Sequence, residues 1–372
     1  MKLRCEKSEL QAACMTAAKA AAAKSPIPAL EGLKLDLIGS RLRITGYDLR
    51  KAIVAEVEAE CDEPGSIVVD TRFFCEMLRR MPDGKLSLTA GKDLAISAKC
   101  GRSQYNFVGM DSEEYPDLPE VGSFNKLTLP QKTLKNMIGM TLFAIADNDV
   151  RPIYTGTLFE IENGSLTLVS VDGFRLAKRT ETVENCEIEN CSFVVPGYSL
   201  SDIEKICGDD EEKTVSISIG QKQIVFAFDT ITVMTRRLEG DFMNYRKAIP
   251  ESFRYEIRVN RSDLMSTIER VALIVSEKNM CPVRMTFRDG KINCLCVNPV
   301  GKAEDVCSCS GDAEGLEIGF NNRYIMDAVK TAAVDELKLC LNTSSSPCVI
   351  LAADGSSEFT FMVLPVRLHA GE

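Results

Sequence analysis

Fifteen cysteines, a single histidine and one dense acidic run are the residues of this sequence with the most obvious chemistry to offer. Cysteine and histidine hold zinc when they occur in close pairs such as C-x-x-C. No such pair occurs, and the nearest approaches, Cys294/Cys296 and Cys307/Cys309, alternate as same-face residues of a strand do. The one histidine, His369, is fourth from the end of the chain, a poor place for an oriented general base. Asp209-Asp210-Glu211-Glu212 could serve a metal-dependent hydrolase, but it follows Gly208 between a helical and a strand pattern, as a solvated loop does. The phosphate-cradling G-x-x-x-x-G-K-[ST], the dinucleotide G-x-G-x-x-G and the acyl-transfer G-x-S-x-G are all absent. Asp172-Gly173-Phe174 matches a kinase metal-binding triplet in letters alone, without the Gly-rich and catalytic loops that would give it meaning. The expectation is a protein without catalysis, metal or cofactor.

Those residues must be positioned by a chain of 372 residues, longer than the ~250–300 at which a single core stops growing, so two or three domains are expected. Hydrophobic and charged fractions of 45% and 26% are those of a globular protein. Met1-Lys2-Leu3-Arg4-Cys5-Glu6-Lys7 has no apolar signal core, and no run approaches the ~18 apolar residues of a membrane span. A cytoplasmic protein with reduced cysteines is expected, without membrane association.

A repeat of about 125 residues organises the chain. Lys2–Leu10, Lys126–Leu134 and Glu256–Leu264 each open as a short alternating strand leading into an amphipathic helix, and their leucines Leu10, Leu134 and Leu264 are 124 and 130 residues apart. A two-strand pattern follows in each: Leu33–Leu37 with Leu42–Ile44, Leu158–Ile161 with Leu166–Leu168, and Met285–Phe287 with Ile292–Cys294. Gly39-Ser40, Asn163-Gly164 and Asp289-Gly290 separate these pairs and suit tight hairpin turns. Further strands then lead into second helices at 71–80, 199–206 and 324–330. Prolines close the first two repeats, which puts the boundaries at 1–123, 124–252 and 253–372. The fold class expected is α+β, with three tandem similar domains, each of two helices packed on antiparallel sheets.

A net charge of −10 argues against nucleic acid until the charges are sorted by element. The candidate helices carry Lys19, Lys24, Arg72, Arg79, Arg80, Lys132, Lys135, Lys205, Arg261, Arg270, Lys278, Arg323 and Lys330, whereas acidic residues crowd strands and connections such as Asp111–Glu114 and Asp209–Glu212. A helix-lined surface could therefore be basic on an acidic molecule. An ordinary solvated helix face explains the same pattern.

Three stretches carry a resemblance. Val169–Ala177 (VSVDGFRLA), Glu239–Pro250 (EGDFMNYRKAIP) and Phe361–Leu368 (FMVLPVRL) resemble, in order and separation, the signature segments of bacterial beta sliding clamps, the DNA polymerase III beta subunit family. The likeness spans the chain, including Pro26-Ile27-Pro28 and Asp149-Val150-Arg151. It implies a head-to-tail homodimeric ring of six domains that encircles duplex DNA without reading sequence and holds polymerases on it. The partners it implies are double-stranded DNA, and DNA polymerase subunits, the clamp loader and repair proteins docking through short linear motifs. By the resemblance Lys24, Arg72, Arg79, Arg80 and Asn148 face DNA. A peptide pocket is formed by Val171, Gly173, Phe174, Arg175, Leu176, Met243, Lys247, Ala248, Asn321, Tyr324, Met362, Leu364, Pro365, Val366 and Arg367. Tyr105 and Phe107 of one subunit meet Leu273 and Ile274, on the first helix of the third domain, in the other. The sequence departs from the family at Gly197-Tyr198, where basic residues are common, at Pro152-Ile153, and in the tail His369–Glu372 at the pocket rim. A peptide-binding scaffold that never encircles DNA is the alternative.

Overall fold

Alternation and helical periodicity translate directly into the elements of the computed structural model, which describes all residues except 121, 123, 124, 149, 184–187, 189, 277, 356–358 and 369–372. The six helices of ten or more residues among those described are α1 (Lys7–Ala17), α2 (Thr71–Arg80), α3 (Gln131–Thr141), α4 (Gly197–Ile206), α5 (Arg261–Ala272) and α6 (Asn322–Thr331). The three opening strands bury every second residue, Leu3 and Cys5, Leu127 and Leu129, Ile257 and Val259, and each runs without a loop into its helix. In α2 the buried Phe74, Met77 and Leu78 follow helical spacing, which turns Arg72, Arg79 and Arg80 outward. The same spacing in α6 buries Ile325, Ala328 and Val329 and exposes Arg323 and Lys330. Side-chain oxygens cap three starts: Asp70 accepts from the Phe73 amide, Asn260 from Asp263, and Asn321 from Arg323 and Tyr324.

The hairpin turns form where expected. Asn163 and Gly164 have φ of 51° and 75°, and Asp289 and Gly290 have 52° and 68°, the two successive left-handed residues that match strand twist. At Gly39-Ser40 only the glycine is left-handed.

Strand pairing divides the middle repeat. The chain forms two compact units. In the first, a five-stranded antiparallel sheet runs Glu60–Glu63, Lys2–Glu6, Lys85–Ala90, Ala95–Cys100, Ser103–Val108. An eight-stranded sheet joins four strands of the first repeat to four of the second, the seam lying between Lys51–Glu58 and Ile231–Arg236 with Val233 opposite Ile53. Thirteen strands form one sheet order in the second unit, which joins the other four strands of the middle repeat to the third repeat. Its seam pairs Arg175–Thr182 with Phe359–Val363, placing Arg175 opposite Val363, Leu176 opposite Met362 and Ala177 opposite Phe361.

Each unit has its own apolar interior: Leu3, Leu10, Leu33, Leu35, Phe74 and Leu88 in the first, and Phe287, Ile292, Cys294, Phe320 and Phe361 in the second. Each such buried side chain contributes roughly 1.5–3 kcal/mol relative to exposure. The described cysteines are free, and Cys294 and Cys296 are fully buried, as apolar strand residues are. Burial pushes the Cys296 thiol up to about 12, which keeps it protonated.

Three placements differ from expectation. Lys24 lies in a connection after the short 3-10 turn Ala18–Ala20, outside any helix. Leu273 is the C-cap of α5 and Ile274 follows it, so both stand just beyond the helix, as does Lys278. The helix begins with Arg261 and ends at Ala272 because the apolar face, Leu264, Thr267, Ile268 and Val271, ends there. Third, α4 starts at Gly197, two residues before the predicted Ser199.

Candidate partner-binding site

The site is built at the seam of the second unit, where the chain leaves one strand at Val171, turns, and re-enters the sheet at Arg175. Asp172 makes the turn: its Oδ1 accepts from the amides of Phe174 and Arg175, both at 2.9 Å. Gly173 takes φ +90° at the apex with nothing within 4 Å of a built Cβ. Phe174 is thereby thrown outward, 60% exposed, and stacks on Tyr324 with ring centroids 6.1 Å apart at 24°. Its carbonyl accepts from the Leu364 amide at 2.8 Å, tying the turn to the terminal strand segment.

Beneath this rim lies a charged node. Arg175, only 7% exposed, donates from Nε to Asp172 Oδ2 at 2.8 Å and from Nη1 to Asp327 Oδ2 of α6 at 2.6 Å. Its guanidinium carbon lies 4.5 Å from the Tyr324 ring centroid and 5.6 Å from that of Phe143. A planar guanidinium can satisfy two carboxylates and lie against aromatic faces at once, which an ammonium cannot.

A separate apolar cluster collects residues distant in sequence: Val171, Leu176 and Met362 are buried in it, with Ala248 and Leu364 packed against it. Ala248 follows a short 3-10 turn, Tyr245–Lys247, held by polar contacts. The Tyr245 hydroxyl donates to Glu160 at 2.5 Å, and Arg246 reaches Glu160 and Glu162 at 2.6 and 2.7 Å. Burial, then the Glu160 carboxylate, pushes the Tyr245 hydroxyl well above its ordinary pKa, so it stays a donor. Asn321 caps α6, and Pro365 and Val366 pair with Phe320 and Gly319.

Of the fifteen residues predicted, described contacts join two groups: Phe174, Arg175 and Tyr324 through ring and guanidinium contacts, with Asn321 capping the helix that carries Tyr324, and Val171, Leu176, Ala248, Met362 and Leu364 in one apolar cluster. Gly173, Met243, Lys247, Val366 and Arg367 are exposed and Pro365 is half-buried. An open concavity of about 690 Å³ touches the predicted set only at Val366 and Arg367 and otherwise belongs to Gly315, Leu316, Glu317, Ser344, Ser345 and Leu368. Asp172, Asp327 and Glu160 were not among the predicted residues. The Asp-Gly turn signal points to the first, but nothing local points to Asp327, which is 152 residues from its partner.

The other predicted sets are surface residues. Lys24, Arg72, Arg79, Arg80 and Asn148 are all exposed. Glu76 takes Arg80 at 2.7 Å and Arg79 at 3.4 Å, so two of the arginines are partly neutralised by their own helix. Tyr105 and Phe107 are half-buried on the edge strand Ser103–Val108, with Phe107 5.1 Å from Phe73 and Val108 74% exposed beside it. Leu273 is 83% exposed and Ile274 is half-buried. In the acidic run, Glu211 takes Lys132 at 2.5 Å and Asp210 accepts from the Glu212 amide. Among the described residues no three Cys, His, Asp or Glu side chains converge as metal ligands, and no helix is long and apolar enough to cross a membrane. His369–Glu372 and Asp149 lie outside the described residues.

Three successive domain profiles match the chain from end to end: DNA polymerase III beta subunit, N-terminal domain, at residues 1–119, central domain at 128–244 and C-terminal domain at 246–367. The chain belongs to the DNA polymerase III beta subunit family. A beta sliding clamp of Staphylococcus epidermidis is 29% identical over 362 residues, covering 94% of this chain and 95% of that one. Among solved structures, the DNA polymerase sliding clamp of Bacillus subtilis superposes with a TM-score of 0.94 at 27% identity, over 99% of this chain and 100% of that one. The DNA polymerase III beta chain of Streptococcus pneumoniae gives 0.92 at 27%, with the same coverage. The chain has the family's three domains, few helices and large antiparallel sheets.

At the first departure from the family pattern, a Cβ at Gly197 would lie 2.2 Å from Ile145 Cδ1 and 3.0 Å from the Thr155 carbonyl, so a larger residue there would require the Ile145 side chain to shift. Ile153, at the second departure, is buried near Tyr154, which packs edge-on against Phe242 at 5.6 Å.

Proposed function

We propose that this chain is a DNA sliding clamp, a non-catalytic processivity factor that closes head to tail with a second copy around duplex DNA and holds polymerases there. The observation that carries the reading is the tandem match of all three beta-subunit domains over the length of the chain. In that reading domain 1 is 1–123, domain 2 is 124–252 and domain 3 is 253–372. Exposed, flexible cations such as Lys24, Arg72, Arg79 and Arg80, with Asn148, meet phosphates by weak, salt-sensitive contacts that carry no sequence information, so the ring can slide while its closure prevents escape. Closure uses the free edge of Ser103–Val108 with Tyr105 and Phe107 against Leu273 and Ile274 of the partner copy, an arrangement that covers an otherwise exposed strand edge.

Polymerase subunits, the clamp loader and repair proteins dock through short linear motifs whose Leu or Phe anchors address the apolar cluster of Val171, Leu176, Met362 and Leu364 beside the turn that carries Phe174. Flexible Met243 and Met362 allow several partners to fit. Light scattering across a dilution series tests closure, with a species near twice the 41.0 kDa chain expected. Retention on circular DNA that is lost on linearisation tests encirclement. A persistent monomer, or equal retention on both DNA forms, would put the non-encircling scaffold ahead.

A further inference from the structure

We infer that Asp327 is a positioning residue of the partner-peptide site: through Arg175 it sets the aromatic rim that a docking motif must engage. The inference rests on the peptide-site reading above. Asp327 touches no apolar anchor position itself, yet it is one of only two carboxylates that the described hydrogen bonds give to the buried Arg175 guanidinium. The two grip different nitrogens. Asp172 takes Nε and is also occupied by two backbone amides of its own turn, so it fixes the turn; Asp327 takes Nη1 and fixes the outer end of the guanidinium.

Tyr324 and Asp327 are three residues apart on α6, the spacing that puts two side chains on the same helical face. Both address Arg175, one with its ring at 4.5 Å and one with its carboxylate at 2.6 Å. The guanidinium therefore fastens α6 to the turn carrying Phe174, and the Phe174–Tyr324 stack is the visible result. These groups come from two different repeats of the chain. Removing the Asp327 charge leaves Arg175 with Asp172 alone, frees Nη1 to seek water, and lets Tyr324 and Phe174 drift apart. Asp327 keeps 30% side-chain exposure, so solvent can replace its bond and the fold should survive the substitution.

The test is fluorescence anisotropy of a short labelled peptide bearing adjacent Leu and Phe, titrated with the full-length chain and with Asp327→Asn, Asp327→Glu and Leu364→Asp, melting temperatures being recorded for each. Asp327→Asn should bind roughly tenfold more weakly, because the rim holds its binding shape for a smaller fraction of the time, while still unfolding cooperatively with at most a modest drop in melting temperature, and Asp327→Glu should return to within about threefold of the parent. Binding by Asp327→Asn equal to the parent, while Leu364→Asp has lost it, would overturn the positioning role and leave the site. A loss that Asp327→Glu does not restore would also overturn it, since that is the behaviour of a structural carboxylate. If Leu364→Asp binds like the parent, the peptide-site reading fails and the inference with it. Should Asp327→Asn not fold, Asp327→Ser takes its place under the same criteria.

Discussion

The rim at Arg175 and the outer face of α2 both present arginines beside acidic residues, and they are built in opposite ways. Arg175 is buried, held at two nitrogens by Asp172 and Asp327, and lies against Tyr324. Arg79 and Arg80 are exposed and, among the described residues, form ion pairs only with Glu76 of their own helix. A buried ion pair that loses one partner leaves an uncompensated charge, whereas an exposed pair is replaced by water. The first arrangement suits a site that must present one shape to a motif. The second suits attraction to a moving polyanion, where any fixed contact would be a brake.

The widest separation of the two regions should come from Arg175→Ala, which leaves Asp172 and Asp327 facing each other. Urea unfolding followed by circular dichroism should show a loss of about 3–5 kcal/mol, against ~0.5 kcal/mol or less for Arg79→Ala. Next is Leu273→Asp, which places a charge on the proposed joint without entering a core: the dimer dissociation constant should rise on the order of 100-fold by light scattering, with the monomer fold intact. On the α2 side, Arg72→Ala should lower the slope of log affinity against log salt for a DNA duplex by about 1. Arg79→Ala should lower it less, because Glu76 already offsets that charge, and Glu76→Gln should strengthen DNA attraction.

Proton linkage gives a smaller test of the same difference. Hydrogen bonding to Arg80, aided by the charge of both arginines, holds the Glu76 carboxyl below the ordinary glutamate value. A depressed carboxylate contributes its pairing fully above the unfolded value and loses it only as pH falls through the folded one. The DNA salt slope should therefore be flat in pH through neutrality and rise only in acid below the usual glutamate range, as Glu76 releases its arginines. The smallest effect should belong to Asp209→Asn with Asp210→Asn, changing stability by no more than ~0.5 kcal/mol and leaving DNA retention unchanged. Loss of an activity there would reopen the acidic loop as a site.

Much of the fold was legible because its signals are local. The repeat of strand, helix and hairpin could be read at Lys2–Leu10, Lys126–Leu134 and Glu256–Leu264 because alternation has period two and a helix face period 3.6, whatever else the chain does. The left-handed turns at Asn163-Gly164 and Asp289-Gly290 were readable because few residue types adopt that conformation. Helix ends were less so. Leu273 and Ile274 read as continuing α5, but no buried neighbour extends the helix past Ala272. The resemblance supplied the residues of the candidate site, though not the reason they cohere.

From sequence alone, then, came the three repeats, their two helices apiece, the absence of nucleotide and acyl-transfer motifs, and the family. All of these depend on spacing between neighbours or on motif identity. Tertiary structure alone decided that the middle repeat shares its strands between two sheets, that Ile145 packs against Gly197, and that Arg175 is shared between Asp172 and Asp327. The physical reason is the same in each case. A strand's face is set by its own alternation, but which edge it meets, and which group ends up beside which, depends on residues far away in sequence that only packing brings together.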